Sequence, residues 1–100
     1  MSSSYGWEKL HLAIHSLTGV PSQSERLVNA LAFSLIHITP ENDLPDSMQE
    51  EFRDFMAEMS SVGDGTYQAT INSLDEVGIG NAIEKIISFY DTICRHNKPF

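Results

Sequence analysis

Glu8, His11 and His15 stand three and four residues apart, the interval at which side chains on one helix become neighbours. Two histidines at i and i+4 can share a metal ion, and a Glu-x-x-His pair occurs in di-metal helical bundles. Such bundles take matching ligands from facing helices. The other long helices of this chain supply nothing comparable on an apolar face, and His37, beside Phe33, is the one extra ligand the spacing offers. The alternative role for these residues is structural: His11 packs at a core edge while Glu8 and His15 face water. A metal-binding helical protein using Glu8, His11 and His15 is therefore one expectation for function.

Three other groupings do not hold together as chemistry. Cys94 and His96 could form a nucleophile and base, but residues two apart on a helix do not face each other. Cys94 instead continues an apolar stripe, where a thiol behaves as a small hydrophobe. Gly78-Ile79-Gly80 precedes a helix as a phosphate-binding turn would. No strand leads into it, however, and Ile83 occupies the position of the third glycine. Asp43, Asp46 and Glu50 lack the spacing and central glycine of a calcium loop. The reading is a protein that is not an enzyme, with no catalytic residues and no cofactor.

Charge is the stronger signal. Fourteen acids against six bases give a net charge of -8. Glu41, Asp43, Asp46, Glu50, Glu51, Asp54 and Glu58 face Arg53 alone within residues 41–58, so six of those eight excess negative charges fall in one segment. Clustered charge of one sign steers an oppositely charged partner. Asp46, Glu50, Glu51, Asp54 and Glu58 are thus the candidate partner-binding residues. A solvated helix face with acids near its N-terminus is the plainer role for the same residues.

The elements that must position these groups are helices. Trp7, Leu10, Ile14 and Leu17 mark one face of a helix over about 5–18, stopped by Gly19, Val20 and Pro21. Ser22 and Glu25 form a capping box that opens a second helix over 23–38, with Ser22 accepting from the Glu25 amide and Glu25 reaching back to the Ser22 amide. That helix is apolar nearly all round: Leu27, Leu31, Leu35 and Ile38 line one side, and Ala32, Phe33 and Ile36 much of the other. It is expected to be central, or to face a second subunit.

Thr39-Pro40 ends it, and 41–45 reads as a loop. Met48, Phe52, Phe55, Met56 and Met59 give a third helix over 45–61 a narrow apolar face, with Phe55 or Met56 left at its edge. After Val62-Gly63-Asp64-Gly65 come a short helix over 66–72 and a last one over 74–95, opened by a Ser73-x-x-Glu76 box. Gly78 and Gly80 weaken its first turns. Arg95, His96 and Lys98 suit its negative end. The fold expected is all-α: one domain over 1–100, a compact bundle of four main helices plus one short helix, with 1–4 and 97–100 frayed.

Composition narrows the classes further. Hydrophobic residues make up 41% and charged residues 20%, ordinary globular usage. The six bases are scattered, whereas nucleic-acid binding needs a basic stripe. Direct nucleic-acid binding and binding to an anionic membrane are both disfavoured. The nearly apolar run from Ala30 to Ile38 is far short of the ~20 residues that cross a bilayer. Met1-Ser2-Ser3-Ser4-Tyr5 lacks the basic start and apolar run of a secretory signal, and the single Cys94 suits a reducing compartment, so a cytoplasmic location is expected.

The leading expectation is a small acidic, non-enzymatic module that binds a basic protein partner as a regulator or inhibitor. Its surface is similar to that of colicin-type immunity proteins, also small acidic helical domains, although their Tyr-Tyr-Pro motif is absent here. The competing expectation is a homo-oligomeric scaffold protein, a homodimer first, built on the surplus apolar surface of the second helix.

Overall fold

The computed structural model describes residues 4–19 and 21–96. Among these residues six α-helices and one 3-10 turn follow in order: α1 (Ser4–Leu17), α2 (Gln23–Phe33), the turn Leu35–His37, α3 (Pro40–Asp43), α4 (Asp46–Met59), α5 (Tyr67–Asn72) and α6 (Glu76–His96). No strand occurs among the described residues. The expected all-α fold is the one adopted. The expectation of frayed ends concerns residues 1–3 and 97–100, which lie outside those described, except that Ser4 already opens α1.

Each long helix buries the face its apolar spacing marks out. Leu10 and Ala13 of α1, Leu27, Ala30 and Leu31 of α2, Met48, Phe52, Phe55 and Met59 of α4, and Ile79, Ala82, Ile86, Phe89 and Ile93 of α6 join one continuous core. Met56 stays half-buried beside it, the edge position that the crowding of Phe55 and Met56 required. The radius of gyration is 13.1 Å, close to the ~13 Å of a compact chain this long.

Several local expectations are corrected. The second helix does not run unbroken over 23–38. It ends at Phe33, and Ser34 (φ -126°) leaves the helical basin before the tighter turn Leu35–His37. Pro40 accounts for the stop before α3, not for the earlier break at Ser34. Its ring would collide with the carbonyl of Ile36 in a continuing helix, and it forces Thr39 into extended backbone (φ -101°, ψ 106°). The chain leaves through a 3-10 turn, the usual way to tighten a helix end. Leu35 and Ile38 remain buried, but Phe33 and Ile36 are 70% and 52% exposed. The helix is thus not buried on all sides.

Residues 41–45 are not simply a loop. Pro40 starts the single turn α3, whose Asp43 carboxylate accepts the Thr39 amide at 2.7 Å. Leu44 and Pro45 are buried behind it. At Ser22 the amide of Glu25 donates to the hydroxyl as expected, but the Glu25 carboxylate takes the Ser22 hydroxyl hydrogen and not the backbone amide. The cap of α6 is Asp75, which accepts from the amide of Gly78 at 2.8 Å, while Ser73 closes α5 by donating to the Thr70 carbonyl. Gly78 and Gly80 neither delay nor break α6.

Candidate functional site

Glu51, Asp54 and Glu58 differ in position by three, four and seven residues, so at about 100° per residue they form one stripe along α4. Asp46 and Glu50 lie to one side of that stripe. The Met48, Phe52, Phe55 and Met59 face turned into the core fixes this rotation. The stripe therefore runs along the edge of α4 nearest α6.

Between the two helices lies an open groove of about 1000 Å³. Glu51, Asp54 and Glu58 form one lip, and Phe55, Met59 and Leu74 supply its apolar floor. The opposite wall comes from Gly78, Asn81, Ala82 and Lys85 of α6. Gly78 and Ala82, one turn apart, keep that wall low. Phe89 of α6 meets Phe52 and Phe55 of α4 edge-on, with centroids 5.4 and 5.6 Å away. These large rings hold α6 to α4 and space the helices there.

Among the described residues Lys85 is the single cation lining the groove. Its ammonium pairs with Glu51 across the gap and lies 5.6 Å over the Phe89 ring. Among the described residues Asp54 and Glu58 have no ion-pair partner. The groove therefore carries a net negative lip over an apolar floor. Arg53, the only base in this acidic segment, is turned away from the groove and pairs with Glu41 of α3. That guanidinium holds the Glu41 carboxyl below its ordinary range.

Of the five acids expected to bind a partner, the fold brings Glu51, Asp54 and Glu58 to the groove and leaves Asp46 and Glu50 outside it. Asp46 accepts from Gln49 at 3.2 Å and lines a separate cavity of about 420 Å³ with Glu41, Pro45 and His96. Glu50 is exposed. The groove residues beyond α4 that charge clustering did not indicate include Leu74, Gly78, Asn81, Ala82 and Lys85. The two small residues one turn apart at the start of α6 were their only sequence signal.

The histidines form a second arrangement. His11 Nδ1 lies 3.1 Å from the Tyr90 hydroxyl, and His11 Nε2 lies 3.1 Å from His15 Nε2. Trp7 stacks on His11 (centroids 4.8 Å apart, planes 13° apart) and donates its indole N–H to Cys94 Sγ at 3.3 Å. Tyr90 and Cys94 belong to α6, so this cluster fastens α1 to the end of α6. Burial first, and then the neighbouring Cys94, push the Tyr90 phenol above its ordinary pKa. Glu8 is exposed, and His37 is exposed on the 3-10 turn. Among the described residues no group of three His, Cys, Asp or Glu side chains converges to hold a metal ion. The thiol of Cys94 is half-buried, and His96 is exposed one turn-half further on.

No helix among the described residues is long and apolar enough to cross a membrane. Comparison with protein-family models, curated proteins and solved structures found no match to this chain.

Proposed function

We propose that this chain is a small acidic binding module whose α4–α6 groove takes a basic segment of a protein partner. The observation that carries the reading is the pairing of a three-carboxylate lip, only one member of which is neutralised, with the apolar floor of Phe55, Met59 and Leu74. A segment with lysines or arginines on one face and apolar side chains on the other matches both features. Its charges meet Asp54 and Glu58, and its apolar face covers the floor. Groove binding by an amphipathic helix is a common recognition mode, and complementary charge speeds encounter.

Salt-dependent capture with charge-reversed variants tests this. Reversal of Glu51, Asp54 and Glu58 to lysine abolishes capture of a basic partner, whereas reversal of Asp46 and Glu50 leaves it in place. Equal loss in both variants indicates general electrostatic attraction and removes the groove from the account. All five residues are exposed, so neither variant disturbs the core.

A second reading rests on Phe33 and Ile36, large apolar side chains left 70% and 52% exposed by the break at Ser34. They supply an apolar face for a second copy of the chain. Light scattering of the wild type and of Phe33→Ser tests it. A dimer that becomes a monomer on substitution supports the reading, and a wild-type monomer ends it.

A further inference from the structure

The geometry points to a two-histidine site for a late first-row divalent metal ion, formed by His11 Nε2 and His15 Nε2 on α1. Two nitrogens bound at about 2.0–2.1 Å to one ion are about 2.9 Å apart at a right angle and about 3.3 Å apart at the tetrahedral angle. The two Nε2 atoms stand 3.1 Å apart, within that interval. The ring planes are inclined by 76° and the centroids are only 4.6 Å apart, closer than two imidazoles meeting end to end. Both spacings are those of two imidazoles bound side by side to one ion.

The outer groups favour the same arrangement. A ligating histidine uses its second ring nitrogen to hold its orientation and tautomer. His11 Nδ1 is 3.1 Å from the Tyr90 hydroxyl, and Trp7 stacks on the same ring. With a metal on Nε2, the His11 proton resides on Nδ1 and is donated to the Tyr90 oxygen. His15 is exposed, so its Nδ1–H reaches solvent. Metal binding therefore replaces the Nε2–H···Nε2 hydrogen bond by a tautomer shift and leaves no buried donor unpaired.

This site differs from the Glu8, His11 and His15 set expected from spacing, because Glu8 is not part of it and water fills the remaining positions. Two imidazoles select copper(II), nickel(II) and zinc(II) over magnesium and calcium, which take oxygen ligands. The site is independent of the α4–α6 groove, and neither proposal needs the other.

Calorimetric titration of nickel(II) into the untagged full chain at neutral pH tests it, with magnesium(II) as the control ion. The expected result is one nickel per chain, no magnesium binding, and a melting temperature that rises with nickel concentration. His15→Asn, a change at an exposed position, abolishes both the heat and the melting shift while the far-ultraviolet circular dichroism stays the same. His37→Asn and His96→Asn bind as the wild type does. Tyr90→Phe weakens binding by about tenfold, the effect of losing an orienting partner. Absence of nickel binding by the wild type, or binding that survives His15→Asn, overturns the site.

Discussion

Gly6 of α1 presses against the backbone of α3: a Cβ built on it would stand 2.3 Å from the carbonyl oxygen of Asp43 and 3.1 Å from a methyl of Leu44. Gly6 is buried, and the atom in its way is backbone, which cannot swing aside. This close approach seats the Pro40–Leu44 segment against α1 and so sets where α4 begins. Gly6→Ala is expected to destabilise the domain by about 1–3 kcal/mol through overpacking. The ~1 kcal/mol which alanine gains over glycine inside a helix offsets part of that, leaving a net loss of up to about 2 kcal/mol. Gly80 is the internal control, because nothing lies within 4 Å of a Cβ built there. Gly80→Ala should therefore stabilise by about 0.5–1 kcal/mol. Urea midpoints of the two variants, moving in opposite directions, check both signs.

The start of α6 gives a second test. Asp75→Ala removes the acceptor for the Gly78 amide and should cost about 1 kcal/mol, the usual value of an N-cap. Ser73→Ala removes only a hydroxyl that donates to the Thr70 carbonyl at the end of α5, and should cost less. Urea denaturation of the pair decides which residue caps the helix. A larger loss at Ser73 would contradict the assignment.

Stability should also fall in alkali. Burial raises the pKa of Tyr67 above the ordinary 10.0, and burial together with Cys94 raises that of Tyr90. In the interval between the unfolded and folded values the native state holds protons that the unfolded chain releases. The stability contributed by these phenols is full below about pH 10 and is lost as pH rises through the folded values. Urea midpoints above pH 10 should decline less steeply in Tyr67→Phe than in the wild type. Equal slopes would remove Tyr67 from this effect.

The helices α1, α4 and α6 were legible because Leu10, Met48, Phe52, Ile86 and their neighbours repeat at the helical interval and each buries one face. The end of α2 was not. Leu27, Leu31, Leu35 and Ile38 keep that interval straight through the break at Ser34, so periodicity hides the change of helix type. The cap of α6 was not legible because the Ser73-x-x-Glu76 box is the fuller pattern, while Asp75 is only a favoured N-cap residue type with no Glu or Gln three residues on. Acid clustering on α4 was plain in the sequence, but its division into a lip and an outside face was not. That division depends on α6, a helix far along the chain, standing beside only one edge of α4. The His11–His15 pair was visible from spacing, whereas its support from Tyr90 and Trp7 required α1 and the end of α6 to meet.

The groove is the centre of the account, and photo-crosslinking from inside it is the most direct measurement. Asn81 is exposed on the α6 wall and can carry a benzoylphenylalanine in its place. The same group at Ile36, on the exposed apolar face, serves as the reference. A partner seated in the groove is crosslinked from position 81, and the adduct peptide carries lysines or arginines interleaved with apolar residues at helical spacing. Crosslinks confined to position 36, with none from position 81, would contradict it.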